Sequence, residues 1–401
     1  MNKGILTLNT GSSSIKLALF PVVDGALQGN AAVSVRLSGI GDEPNLYIKS
    51  DPSYGGENRV IECDARDQVS AIEFVLRTVN EMLLDTELIS IGHRVVHGGA
   101  SFAKPCFITP PVVDALGALT PLAPGHQPAN LQGVCAAMRC WPQAPQVGCF
   151  DTSFHRTQPK PAMQFAIPRQ LMDEGIIRYG FHGLSYEYIA EAAPTVLTGY
   201  DSERMIVAHL GAGASMCAIR NGRSVATTMG FTALDGLPMG TRCGDLDPGV
   251  ILYLLQEKKL APSDIAEILY EKSGLLGLSQ ISGDMRILEN SDHNSSKEAV
   301  EYFAYRCIRE IGSLTAALGG LDALIFTAGI GENSASVRAR ILDGLGWLGF
   351  EIDKKLNQEH NNRITAEGIT PSAWVLPTNE ELMIARHAFQ LLMETNSKST
   401  Q

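Results

Sequence analysis

Arg94 lies in GHRVVHGG (92–99), where an apolar run gives way to paired glycines, the setting of a side chain presented at a strand end. A planar guanidinium there can hold a carboxylate or phosphate through two parallel hydrogen bonds, and it can equally serve a structural salt bridge. Arg242 stands in a second such stretch, MGTRCGDLDPG (239–249), where glycines, an arginine and carboxylates precede a helix. Asp247 and Pro248 within it also read as an N-cap and first-turn proline. Asp151 breaks an apolar run in CFDTSFH (149–155), which makes it a candidate base, metal ligand or helix cap. His182 sits between glycines in YGFHGLS (179–185), a pattern that suits close approach to a ligand or a satisfied buried histidine. Near the start, NTGSSSIK (9–16) places a Gly/Ser turn and Lys16 between two β-prone runs. Backbone N–H groups at such a turn can converge on an anion, though a plain hairpin turn uses the same residues. The GxxxxGK[ST] loop is absent, so this is no Walker site. SGDMR (282–286), GIGEN (329–333) and PTNEE (377–381) complete the set. Singly these are weak signals. Together, arginines, a lysine, histidines, carboxylates and glycine turns are what phosphoryl transfer uses, because that reaction depends on positioning and charge neutralisation.

Bringing these stretches together requires an α/β chain, and strand-like and helix-like segments do alternate throughout. The pattern predicts a hairpin over 5–20, strands at 45–50, 59–63 and 88–96, and helices at 68–84 and 128–139. Further on it predicts helices at 248–256 and 297–318, then a strand at 323–327 ending in a glycine loop at 328–331. ILTLNTGSSSIKLAL, from residue 5, has a partial echo in IVAHLGAGASMCAI, from residue 206. Both read strand, small-residue turn, strand, which suggests a duplicated domain with a cleft between the copies. The 401 residues suffice for two domains, expected at 1–150 plus 386–401 and at 151–385.

Composition narrows the partners. A net charge of -11 leaves no basic excess to neutralise nucleic-acid phosphates, yet permits a small anionic substrate held by local cations. No apolar run reaches membrane-spanning length, and Met1-Asn2-Lys3 leads straight into a strand, so a cytoplasmic protein without membrane partners is expected. The eight cysteines form no CxxC pair and read as reduced thiols rather than as disulfides or a zinc site. A dinucleotide-dependent oxidoreductase fails, since no GxGxxG follows the first strand.

NTGSSSIK, GHRVVHGG, FDTSFH, YGFHGLS, HLGAGAS, MGTRCGDLDPG, SGDMR, FTAGIGEN and PTNEEL occur in the order found in acetate kinases and the related propionate kinases. From residue 9 to 381 the chain resembles that family. The resemblance implies duplicated ribonuclease H-like domains of the sugar-kinase/actin type with an interdomain cleft, and a homodimer. It implies ATP/ADP as co-substrate with Mg2+, or Mn2+ in its place, and reversible transfer of the γ-phosphate to a short-chain carboxylate. Carried over by position, Asn9 and Glu380 are the Mg2+-associated residues, and Lys16 contacts the nucleotide phosphates. Arg94 corresponds to the holder of the substrate carboxylate, Asp151 to an acid/base or metal-positioning residue, and His182 with Arg242 to the pair that stabilises the transferring phosphoryl group. The nucleotide segments are His209, Leu210, Gly211, Ala212 and Gly213; then Asp284, Met285 and Arg286; then Gly329, Ile330, Gly331, Glu332 and Asn333. Val96, Gly125, His126, Phe181 and Ala233 would line the substrate pocket with Arg94. A short-chain carboxylate is ionised at pH 7 and needs no general base, which favours metal or positioning work for Asp151.

Four positions depart from the family pattern. Gly125 replaces the usual leucine before His126, and Ala233 replaces the usual proline in the segment 231–234. Both are smaller, so a wider pocket is expected, one with room for propionate or a longer chain; each buried CH2 is worth roughly 0.8 kcal/mol. Ala212 stands where asparagine is common, which leaves the phosphate-donor preference open, and Tyr186 stands where histidine is usual. The alternatives are a propionate or butyrate kinase with little acetate activity and a non-catalytic actin-type nucleotide-binding protein. The joint presence of Arg94, Asp151, His182, Arg242 and Glu380 argues against lost catalysis.

Overall fold

Alternating apolar residues open the chain as a hairpin in which β1 (Asn2–Thr10) and β2 (Ser14–Val23) pair antiparallel, Asn9 opposite Lys16 and Thr10 opposite Ile15. The computed structural model describes residues 2–11, 14–41, 43–52, 57–83, 85–199 and 201–399. Ser12 and Ser13 of the expected phosphate turn, Leu84 of the expected helix, and the last two residues of the first expected domain lie outside that set.

The chain divides into two compact units, Met1–Ser153 with Asn379–Gln401, and Phe154–Thr378. In the first, β3 (Ala26–Leu27), β4 (Val33–Ser38), β5 (Asn45–Ser50), β6 (Arg59–Glu62), β7 (Thr86–Val95), β8 (Cys106–Phe107) and β9 (Gln146–Phe150) extend the hairpin. The sheet order is β6-β5-β4-β2-β1-β7-β9-β8, with β3 on β2, and β7 and β9 run parallel to β1. In the second, β10 (Arg204–Leu210), β11 (Ala214–Arg220), β12 (Arg223–Thr227), β13 (Ala323–Thr327) and β14 (Ser372–Val375) are ordered β12-β11-β10-β13-β14. Each unit therefore holds the same five-strand core: a central strand that leads into an antiparallel meander of two further strands on one side and has two strands parallel to it on the other. The partial repeat in the sequence is this duplication. The fold is the duplicated ribonuclease H-like arrangement of sugar kinases and actin-type ATPases.

In the first unit, helices Gln68–Met82 and Gln127–Cys140 cover one sheet face, burying Leu6, Leu8, Ile15 and Leu17 against Ile72, Val75, Val79 and Ala137. Each such side chain contributes on the order of 1.5–3 kcal/mol. Asp67 caps the earlier helix through a capping box with Ser70. On the strands the helix Glu380–Ser399 packs against β1, β7 and β9, so the second segment of this unit begins at Asn379 and carries Glu380 at the helix start. In the second unit, Met205, Val207, Cys217, Ile219, Ala323 and Ile325 form a core with Tyr186, Ile189 and Ala193 of helix Gly183–Val196.

Two local readings were decided by side chains. Asp247 is a helix cap, its Oδ1 accepting from Gly249 N at 2.8 Å at the start of helix Pro248–Gln256. The stretch expected as a glycine loop at 328–331 is instead a short helix, Ala328–Asn333. The Glu332 carboxylate reaches back to accept from Ala328 N at 2.8 Å and Thr327 Oγ1 at 3.4 Å, closing the turn that the glycines would otherwise leave open. Among the described residues, no helix is long and apolar enough to cross a membrane.

Candidate active site

In the first unit the parallel strands β1, β7 and β9 end together, and their last residues carry the polar side chains. Arg94, near the end of β7, donates from Nε to Asp151 Oδ1 at 2.9 Å and from Nη2 to Asp151 Oδ2 at 2.6 Å, a bidentate pair. Arg94 Nη1 lies 3.5 Å from Asn9 Oδ1 and 3.8 Å from the Glu380 carboxylate. Asp151 is buried and Arg94 nearly so, with side chains 2% and 19% exposed. Burial works against the Arg94 charge, but Asp151, Glu380 and Glu381 outweigh it and raise its pKa, so the guanidinium is a permanent cation. Lys16, opposite Asn9 in the hairpin, faces Glu381 at 3.9 Å. Asn9, Lys16, Arg94, Asp151 and Glu380 thus form one group. Val96 is buried just past β7, whereas Gly125 is exposed and half-buried His126 precedes helix Gln127–Cys140. A Cβ added at Gly125 meets nothing within 4 Å.

The second unit gathers the remaining candidates around the tip of the β10–β11 hairpin. His182 Nδ1 is 2.7 Å from Ser215 Oγ, and its ring stacks on that of His209 with centroids 4.2 Å apart. A Cβ at Gly213 would lie 3.3 Å from Arg242 Nη2 and 3.5 Å from His182 Nε2, so both side chains bear on that turn. Arg242 Nη1 donates to Ala233 O at 2.7 Å, so Ala233 orients the arginine through its carbonyl. Gly240 N donates to Ala212 O at 3.1 Å, and a Cβ at Gly240 would sit 3.1 Å from Gly283 O. Three glycine-containing turns therefore abut at backbone-to-backbone distance, which the absence of a side chain permits. Leu210 and Phe181 are buried beneath, and a Cβ at Gly331 would lie 3.5 Å from Ala208 O, which sets helix Ala328–Asn333 against β10. Asn333 Nδ2 donates to Gly329 O within that helix. Asp284 caps helix Met285–Glu289 and is held by Arg286, its Oδ1 accepting from Arg286 N at 2.9 Å, while Met285 is buried. That segment is self-contained, with the exposed Arg286 guanidinium spent on Asp284.

Several residues that hold these groups are not candidates by sequence. Asn130 donates to Thr10 O at 2.5 Å and accepts from Val96 N at 2.9 Å, clamping the ends of β1 and β7. His155, buried and with its pKa pushed down by burial to about 4, is neutral at pH 7. Its Nε2 is 2.9 Å from Phe181 O and its Nδ1 3.0 Å from Ser224 Oγ. Gly180 has φ +74°, and a Cβ there would fall 2.5 Å from the His155 ring. His182 itself adopts the left-handed conformation, φ 57°. The histidine of FDTSFH therefore braces the turn that presents His182, a link between motifs that spacing does not reveal. Arg338, fully buried, donates to Gly331 O at 2.8 Å and Glu332 O at 2.9 Å and so anchors helix Ala328–Asn333 from below.

Comparison with known proteins identifies the family. The model of the acetokinase family matches residues 4–386. An acetate kinase of Methylocella silvestris is 46% identical over 398 residues, covering 98% of both chains. One from Rhodopseudomonas palustris is 47% identical over 395 residues, covering 98% of this chain and 99% of its own. Among solved structures, a propionate kinase from Francisella tularensis superposes with TM-score 0.87 at 35% identity, covering 97% of this chain and 99% of its own. The acetate kinase of Porphyromonas gingivalis superposes with TM-score 0.84 at 35% identity, over 97% and 100%. With its duplicated fold and its two residue groups in place, the chain belongs to the acetokinase family and is an acetate/propionate kinase, a phosphotransferase acting on a carboxyl group.

Proposed function

We propose that Arg94 binds the carboxylate of the substrate and that Asp151 acts by holding Arg94. The bidentate Arg94–Asp151 pair carries this reading: both Asp151 oxygens are engaged by the guanidinium, an arrangement suited to orienting a cation rather than accepting a proton. The substrate is already ionised at pH 7, so its oxygen attacks the γ-phosphorus without a base. The barrier lies in bringing two anions together and stabilising charge on the transferring group, which cations and backbone N–H groups in fixed positions accomplish. Arg94 and Lys16 do so in the first unit, Arg242 and His182 in the second. The turns at 209–213, 239–243 and 329–333 hold the nucleotide, and the loss of an amide side chain at Ala212 leaves that hold to backbone donors.

Asn9 and Glu380 supply only oxygen donors, an amide and a carboxylate, which suits a hard cation such as Mg2+ that keeps few protein ligands. Among the described residues no group of three or more His, Cys, Asp or Glu could hold a metal by itself, in keeping with a site completed by substrate phosphates. Bound there, Mg2+ would neutralise charge on the phosphate oxygens.

Acetate and propionate are both used, with propionate comparatively well. The open space at Gly125 supports this, and a side chain placed there can occupy it without displacing a neighbour. The test is kcat/KM for acetate, propionate and butyrate in a hydroxamate assay, with wild type and Gly125→Leu. Propionate within about tenfold of acetate is expected, with the propionate/acetate ratio about tenfold lower in Gly125→Leu. A wild type that strictly prefers acetate, or a variant with an unchanged ratio, overturns the assignment.

The protein is a homodimer in this reading. Helix Pro248–Gln256 (PGVILYLLQ) has no buried residue, and Val250, Leu252 and Tyr253 are 39%, 53% and 52% exposed. So apolar a helix face is a place for a second copy to dock. Sedimentation should give twice the chain mass, shifting toward the single chain in Leu252→Asp. A monomeric wild type would refute it.

A further inference from the structure

Three hydrogen-bonding groups in line behind His182 determine where its proton sits. Tyr186, fully buried on helix Gly183–Val196, has its hydroxyl 2.5 Å from Ser215 Oγ, and Ser215 Oγ is 2.7 Å from His182 Nδ1. Ser215 is also fully buried and has one proton to give. If that proton went to the Tyr186 oxygen, the tyrosine proton would be left without an acceptor in the interior. If Tyr186 and a protonated His182 Nδ1 both donated to Ser215, the serine proton would be stranded instead. Only one arrangement uses every proton: Tyr186 donates to Ser215, Ser215 donates to His182 Nδ1, and the imidazole carries its hydrogen on Nε2.

We propose that Tyr186 and Ser215 form a donor relay that holds His182 as the neutral Nε2–H tautomer, making Tyr186 a positioning residue for phosphoryl transfer. Nε2 is the ring atom that bears on Gly213 beside Arg242, so the relay turns His182 into a hydrogen-bond donor aimed where the transferring group is held. Burial raises the Tyr186 pKa well above that of ordinary tyrosine, so its hydroxyl keeps its proton at working pH. Arg242 and the stacked ring of His209, whose own Nδ1 is 2.8 Å from Ser185 Oγ, also face His182. A second charge beside Arg242 would be opposed by repulsion, so a neutral donor is the form best suited to this place. The relay also gives Tyr186, where the family usually has histidine, a specific task.

This inference rests on the reading that His182 acts on the transferring group, and the experiment separates the two. Enzyme labelled with 15N in its imidazoles, with His182→Asn to assign the signal, reports the His182 tautomer at pH 7.5. The kcat–pH profile with acetate and ATP is measured alongside for Tyr186→Phe and Ser215→Ala. Wild type should show the Nε2–H form. In Tyr186→Phe the freed serine lone pair can accept from Nδ1–H, so a mixture of tautomers is expected. The acid limb of the profile should move to higher pH, and kcat should fall about tenfold while KM for acetate stays near wild type. Ser215→Ala should produce the same changes with the tyrosine intact, which covers the case of a Tyr186→Phe protein that does not fold. A wild-type Nδ1–H tautomer, or variants with unchanged tautomer and profile, would overturn the relay. Full activity in His182→Asn would overturn the catalytic reading of His182 and leave the tautomer assignment standing.

Discussion

Replacing Arg94 with alanine should lower kcat/KM for the carboxylate by about a thousandfold or more, because in the role proposed for it one side chain both recruits the substrate and offsets its charge. The cost also reaches stability. Asp151 is 2% exposed, and removing its partner leaves a buried carboxylate uncompensated, a loss of roughly 3–5 kcal/mol. Arg94→Lys keeps the charge but loses the planar fork that engages both Asp151 oxygens, so it should rescue folding better than it rescues catalysis. Asp151→Asn tests the assignment of roles. Its neutral amide can no longer counter the arginine charge, and Glu380, 3.8 Å away, is left to attract it, so KM for the carboxylate should rise. Because the two residues act as one unit, the double variant Arg94→Ala/Asp151→Asn should be little worse than Arg94→Ala alone. Strictly additive losses in kcat/KM would show that Asp151 has a separate chemical task, such as proton transfer.

The second large effect is expected in the interior of the second unit. Among the described residues, Arg338 is the largest fully buried side chain and no carboxylate is in ion-pair contact with it. Its five donor contacts go to Asn357 Oδ1 and O, Gly331 O, Glu332 O and His360 Nδ1, at 2.8 to 3.1 Å. Burial lowers its pKa to about 10, with Glu289 opposing the change, and at pH 7 it stays charged. Carbonyl oxygens thus do what a counter-ion would do elsewhere. Arg338→Met fills much of the volume but strands the Gly331 and Asn357 carbonyls and the Asn357 amide oxygen in the interior and leaves Glu332 O only its His360 contact, costing about 3–5 kcal/mol. For a unit of this size that is on the order of a 10 °C fall in Tm. Helix Ala328–Asn333 loses two anchoring donors in the same step, so ADP affinity should drop together with Tm. Thermal melting and calorimetric titration with ADP check this. A variant with native Tm and native ADP affinity would mean the buried charge is dispensable.

Much of the architecture is legible from local pattern. The opening hairpin, the strands at 45–50 and 323–327 and the helix at 248–256 follow from periodicity and turn chemistry, which act within a window of a dozen residues. The duplication is legible because both copies begin with the same hairpin. The helix Ala328–Asn333 escaped that reading: its glycines argue for a loop, and the Glu332 side chain folding back on the Ala328 N–H settles the matter.

The chemistry divides along the same line. Residue types alone nominated Arg94, Asp151, His182 and Arg242, since few side chains can neutralise and orient anions. Their pairing was beyond the sequence, because Arg94 and Asp151 lie 57 positions apart and Asn130 lies 120 from the Thr10 carbonyl it holds. Nothing in the residues around Arg338 marks it as a buried anchor, and the sequence shows only that Tyr186 stands where histidine is usual. A hydrogen bond depends on distance and direction after the chain has folded, and a buried group must find partners wherever the fold brings them. The sequence by itself determined which groups are available for phosphoryl transfer; only the tertiary structure decided which of them hold one another, and on which atom a proton rests.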